Sequence, residues 1–194
     1  MKPIHTLTAL LGLLWLGLGL PAMAMPISSP VDPELRALLK QAASETESFA
    51  DRFEAEVWLM DMSQRLTKKI PDSRFRIELL KNVHHEATRA GLKPELVLSV
   101  IEVESNFNRF AISSAGARGL MQVMPFWLKE IGRPGDSLFN LQTNLRYGCT
   151  ILKYYLDKER GNLRAALARY NGSQGQSWYP ARVNLVYQKR WFPQ

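Results

Sequence analysis

The sequence holds a single cysteine, Cys149, so no intramolecular disulfide can form and the chain must rely on its core. Cys149 follows Gly148 in an apolar helical context, where a buried thiol is expected. Histidine is also scarce, with three residues in 194, two of them the adjacent pair His84-His85. Neighbouring side chains on a helix diverge by roughly 100°, which is poor chelating geometry, so no metal site and no cofactor are expected. Alternating strand patterns and internal repeats are missing, which argues against sheet and repeat architectures and leaves an all-α, predominantly helical chain. The apolar run from Leu7 to Leu20 falls short of the ~20 residues that a membrane span needs. No cysteine lies near its end to carry a lipid.

That run follows Lys2 and is followed by Ala22-Met23-Ala24, the three parts of a secretory signal peptide over residues 1–24. An uncleaved anchor is the alternative. The expected mature chain starts near Met25, is exported to the periplasm or cell envelope, and is soluble there with no stable membrane anchor. Lysine and arginine total 25 against 18 acidic residues, a net charge of +7. Export removes nucleic acid as a partner, and an acidic cell-wall polymer with peptide carboxylates suits the charge better. The alternative is that the excess is only a solubilising balance.

Residues 25–72 read as a lead-in (25–31) and an amphipathic helical segment. Asp32-Pro33-Glu34 is a helix start. Leu35, Leu38, Leu39, Ala42, Phe49, Phe53, Val57, Met60 and Leu66 then recur at helical spacing, as one long helix or two, until Ile70-Pro71. This segment either packs on the following domain or docks another envelope protein, and the pattern leaves both open. Residues 73–194 form the main domain, with helices expected at 73–90, from Pro94, and at 120–131, 140–156, 163–170 and 181–190. Gly91 is a plausible cap, and loops are expected at 109–119 and 172–180.

The most informative stretch runs from Val97 to Pro125. Val97, Leu98, Val100, Ile101 and Val103 are nearly continuous hydrophobe, as in a helix buried on most sides. Glu102 and Glu104 interrupt it, and two positions apart on a helix they face nearly opposite ways. Only one can serve a given pocket. Glu104 is the better candidate, because Ser105-Asn106-Phe107-Asn108 reads as the helix end. There the negative end of the helix dipole and apolar neighbours both disfavour the ionised carboxylate.

Glu104-Ser105, Phe107, Ala111, Ser113, Gly116-Ala117, Gly119-Leu120-Met121-Gln122 and Met124-Pro125 together resemble the signature of the soluble lytic transglycosylases, which cleave bacterial peptidoglycan. A third element of that family, usually Ala-Tyr-Asn, is matched by Tyr170-Asn171, preceded here by Arg169 and followed by Gly172-Ser173. The resemblance spans about Leu92 to Val183 and implies a lysozyme-like catalytic domain with the N-terminal helical segment added. It implies that Glu104 protonates the MurNAc-GlcNAc β-1,4 oxygen and then accepts the proton of the MurNAc C6 hydroxyl, leaving a 1,6-anhydro end. It assigns substrate contacts to Ser113 and Gln122. Tyr170 would place its hydroxyl near Glu104 and Asn171 would hold that turn, while Met121 and Met124 would line the groove or pack in the core. Ser105 reads as a helix-end hydroxyl, since no histidine triad accompanies it. Trp178 and Tyr179 would stack on sugars or pack.

Ordinary glycoside hydrolysis needs two carboxylates, and the signature supplies one. Asp136, Asp157 and Glu159 belong to no matching motif. Two alternatives remain at this level: a lysozyme-type hydrolase on the same fold, and a non-catalytic peptidoglycan-binding or assembly factor.

Overall fold

The structure is a computed structural model and describes residues 48–192. The expected signal peptide, the lead-in and the helix start at Asp32 lie outside the described residues. The first described helix, α1 (Arg52–Leu66), is capped by Asp51, whose side chain accepts from the Glu54 amide at 2.8 Å. α2 (Ser73–Arg89) is capped by Asp72. It ends where Gly91 turns left-handed (φ +67) and the Leu92 amide reaches back to the Ala87 carbonyl at 2.9 Å.

α3 (Pro94–Ser105) starts on proline, and every residue from Glu95 to Glu102 is buried. Val97, Leu98, Val100 and Ile101 have no exposed surface. A helix apolar all round must be enclosed by other elements. α2 packs on it from one side, and α7 (Trp178–Val186) with the π-helical turn Tyr187–Trp191 packs from another. α5 (Leu141–Lys158) bridges α2 to α6 (Leu163–Asn171), and α6 packs on α7, closing a ring of helices. Ala55, Leu59, Met62 and Leu66 of α1 enter the same core, and α1 lies on α2. Among the described residues there are no strands, and the architecture is all helical.

Most polar groups drawn into this core are matched, with Ser173 Oγ and Arg109 Nε as exceptions. The buried Arg76 donates to Ser63 Oγ (2.9 Å) and to the Ile70 carbonyl (2.6 Å). Glu86 receives Arg89 and Arg146, and Glu95 accepts from the Trp58 indole at 2.7 Å. Cys149 is buried as expected, and burial holds its thiol protonated. His84 lies against Phe49 with ring centroids 3.5 Å apart, so it is a packing residue that burial keeps neutral, with a pKa of about 4.

Two expected elements differ. The helix anticipated at 120–131 exists only as α4 (Phe126–Ile131). Ahead of it, Arg118 and Val123 exchange backbone hydrogen bonds of 3.0 Å, and Gln122 takes a positive φ of 49°. The apolar residues Leu120, Met121 and Val123 line a buried turn instead, in which the amides of Met121, Gln122 and Val123 are taken by Asn144, Gly119 and Arg118. The last helix begins at Trp178, inside the expected loop, and gives way to the π-helical turn at Tyr187. Pro180 is tolerated there because it lies in the first helical turn.

One side chain ties this buried turn to α5. Asn144 is 1% exposed, accepts from the Met121 amide at 2.8 Å, and donates to the Arg118 and Leu138 carbonyls at 2.9 and 2.8 Å. Asn144→Ala is expected to cost about 3 kcal/mol, since it strands buried backbone groups. Urea denaturation measures it.

Candidate active site

α3 ends abruptly. Asn106 (φ 48) and Phe107 (φ 67) are consecutive left-handed residues without being glycine, a conformation that carries strain. It is held by burial of Phe107 against Trp191 (centroids 5.8 Å apart) and by Lys69 donating to the Asn106 side chain. Ser105 Oγ donates to the Ile101 carbonyl at 3.1 Å, which makes it a helix-end hydroxyl. The two glutamates part company here. Glu102 turns to Trp191, Lys69 and Arg190, whereas Glu104 turns to α6 and α7.

Glu104 is half-buried, and Tyr179 donates its hydroxyl to Glu104 Oε1 at 2.6 Å. Burial raises the carboxyl pKa above its ordinary value. Hydrogen bonding from Tyr179, a smaller contribution from the Asn171 side chain, and the charge of Arg182 pull it back in part. The result is a carboxyl group biased towards holding a proton, with donors arranged to receive its anion. Tyr179 itself is 1% exposed, and its phenol is pushed well above the usual range by burial, so it stays a donor.

Sequence reasoning weighed Tyr179 only as packing or a sugar platform. Its one local sign is an aromatic residue before Pro180 in an otherwise polar stretch. Trp178 beside it is 52% exposed.

The motif residues converge, with roles partly different from those expected. Tyr170 lies close enough to feel the Glu104 charge, but its hydroxyl donates to the Met121 carbonyl at 2.7 Å. The hydrogen-bonding tyrosine at Glu104 is Tyr179. Met121 has no exposed surface, and its side chain fills the space beside Gly148, where an added Cβ would come within 2.3 Å of the sulfur. It is core and does not line a groove. Met124 is half-buried. Gln122 commits its amide donors to the Ala111 and Gly119 carbonyls (3.2 and 2.9 Å), which leaves its oxygen as the free polar atom. Ser113 Oγ accepts from the Ala117 amide at 3.1 Å and keeps its proton to donate elsewhere. Asn171, the last residue of α6 before the left-handed Gly172, faces Glu104.

The other carboxylates raised by the sequence are engaged elsewhere. Asp136 takes the Tyr147 hydroxyl and the Arg133 amide, Asp157 pairs with Lys153, and Glu159 pairs with Arg169. Among the described residues, no second carboxylate is one of the groups acting on Glu104.

A family model described as the Transglycosylase SLT domain matches residues 81–184, more than half of the chain. The chain belongs to the transglycosylase SLT domain family. The SLT match contains Glu104, the Ser113–Gln122 turn, Tyr170-Asn171 and Tyr179. Among relatives, a transglycosylase of Enterobacteria phage PRD1 is 34% identical over 108 residues, covering 50% of this chain and 40% of that protein. The membrane-bound lytic murein transglycosylase C of Yersinia pestis is 33% identical over 109 residues, 48% of this chain and 30% of its own. This SLT chain therefore matches well under half the length of those relatives. Lytic transglycosylase Slt of Pseudomonas aeruginosa aligns over 80% of this chain and 31% of its own, with 21% identity and a TM-score of 0.46.

The raised pKa of Glu104 has a sign that can be tested. The folded chain holds a proton that the unfolded chain releases, so this group's contribution to stability is full below the unfolded pKa. It is lost as pH rises through the folded one. Glu104→Gln is thus expected to be more stable than the parent at pH 7, with the gap closing below about pH 4, measured by urea denaturation. Tyr179→Phe removes the leading hydrogen bond to the anion and is expected to raise the Glu104 pKa further, read by NMR titration.

Proposed function

We propose that this chain is a peptidoglycan lytic transglycosylase in which Glu104 acts first as acid and then as base. The observation that carries the proposal is a single half-buried carboxyl, biased towards its protonated form, with hydroxyl and amide donors on it and, among the described residues, no carboxylate among the groups acting on it. Similarity to the murein transglycosylase of Yersinia supports the substrate.

Protonated Glu104 gives its proton to the glycosidic oxygen as the bond from C1 of MurNAc breaks. The carboxylate left behind is stabilised by Tyr179, Asn171 and the charge of Arg182. It then takes the proton of the C6 hydroxyl as that oxygen bonds to C1, closing the 1,6-anhydro ring. Proton and electron pairs balance without water. Intramolecular attack brings a high effective molarity, and this is why one carboxylate suffices. Ser113 and the Gln122 oxygen are the polar groups offered to the sugar from the 111–124 turn, and Trp178 offers an exposed aromatic face. Tyr170 and Met121 act from behind, by joining that turn to α6.

Export to the periplasm or cell envelope follows from the signal-like residues 1–24. Within residues 25–72, the described helix α1 serves to pack on the domain, a reading supported by its entry into the common core.

Purified protein incubated with peptidoglycan is expected to release fragments one water lighter than hydrolysis products, read by mass spectrometry. Glu104→Gln is expected to lower the rate by about 10²–10⁴-fold, the usual contribution of a general acid–base. Reducing-end products would overturn the mechanism in favour of hydrolysis.

A further inference from the structure

On the side of α3 away from Glu104 lies a groove of about 430 Å³ that the proposed reaction does not use. That is within the ~300–1,000 Å³ usual for small-ligand sites. One wall is the C-terminal half of α1, with Asp61, Gln64 and Arg65. The other is the π-helical turn, with Lys189 and Arg190, over the buried Trp191. Lys69 closes one end.

Two cations of the groove share one buried carboxylate. Glu102 accepts from the Trp191 indole at 2.9 Å and pairs with Lys69 at 3.3 Å and with Arg190. Arg65 is fixed as well, pairing with Asp61 at 2.7 Å and donating to the carbonyls of Arg190 (2.7 Å) and Phe192 (3.1 Å). Four cations thus line the groove against the carboxylates of Asp61 and Glu102, which leaves two positive charges unmatched. Lys189 is exposed and has no partner among the described residues. Burial, and then the Arg190 charge, depress the pKa of Lys69, as expected where cations are crowded.

We infer that this groove is a second, non-catalytic binding site for the free carboxylates of peptidoglycan stem peptides. In naming the polymer the inference rests on the function proposed above, while the anionic class of ligand follows from the groove itself. The walls come from C-terminal helical turns, which present carbonyl oxygens and no helix N-terminus. A phosphate near neutral pH brings at most one or two P–OH donors and so cannot satisfy several of those oxygens at once. A peptide brings amide donors for the carbonyls and Asp61 together with carboxylates for Lys69, Lys189 and Arg190. Because Glu102 and Glu104 point away from each other, a stem peptide held here leaves the Glu104 side free for glycan.

The test is calorimetric titration of the purified protein with a soluble stem tetrapeptide lacking glycan, an all-L acidic tetrapeptide, and inorganic phosphate. Saturable binding of the stem peptide is expected, weakened at least about tenfold by Lys189→Glu and by added salt, and unchanged by Glu104→Gln. Lys189 holds no structural partner, and circular dichroism confirms that the variant folds. The inference is overturned by a lack of saturation, by loss of binding in Glu104→Gln with none in Lys189→Glu, or by tighter binding of phosphate or the all-L peptide. Anhydro-product formation is read separately. Binding lost in Lys189→Glu without any anhydro product would sink the proposed reaction and leave the groove's assignment standing.

Discussion

The enclosure of α3 on all sides is the constraint from which the rest of the structure follows. Every residue from Glu95 to Glu102 is buried, so each polar group that the helix carries must be met by a partner from another element. Trp58 comes from α1 to Glu95, and Trp191 comes from the π-helical turn to Glu102, joined by Lys69 and Arg190. These contacts draw both ends of the described chain onto one helix. They also fix its rotation, and with it the direction of Glu104.

The last turn of α3 is treated differently from the rest. Glu102 is neutralised by paired cations, whereas two residues on Glu104 receives a phenol and an amide, with Arg182 acting only through its charge. One carboxylate is therefore held in ion pairs, whereas burial biases the other towards its protonated form. The strained left-handed pair Asn106-Phe107 is the backbone cost of ending the helix at that point, and burial of Phe107 against Trp191 offsets it.

The motif turn depends on the same economy of partners. Asn144 and Tyr170 hold the backbone of Met121 from either side, and Gly148 gives its side chain room. Met121 and Tyr170 thus shape the 111–124 turn from below, while the Ser113 hydroxyl proton and the oxygen of Gln122 are left without a partner among the described residues. A family signature mixes residues that touch substrate with residues that hold those in place, and spacing along the chain does not separate the two.

Much was legible before any coordinates. Helical periodicity located α2, α5 and α6, and Gly91 marked the end of α2, because apolar spacing and cap chemistry are local properties. The opposition of Glu102 and Glu104 followed from helix geometry, and the choice of Glu104 followed from its place at the helix end. What only tertiary structure decided was long-range pairing. Tyr179 reaches Glu104 across 75 residues and Trp191 reaches Glu102 across 89, distances over which no local pattern carries information. The turn at Leu120–Val123 misled for a related reason. Burial makes a turn as apolar as a helix face, and only the pairing of Arg118 with Val123 tells the two apart. The sequence by itself determined that Glu102 and Glu104 face apart and that Glu104 lies in the last turn of its helix, since both depend on helix geometry and local end signals. Which tyrosine holds it, and which motif residues are core, was settled by packing.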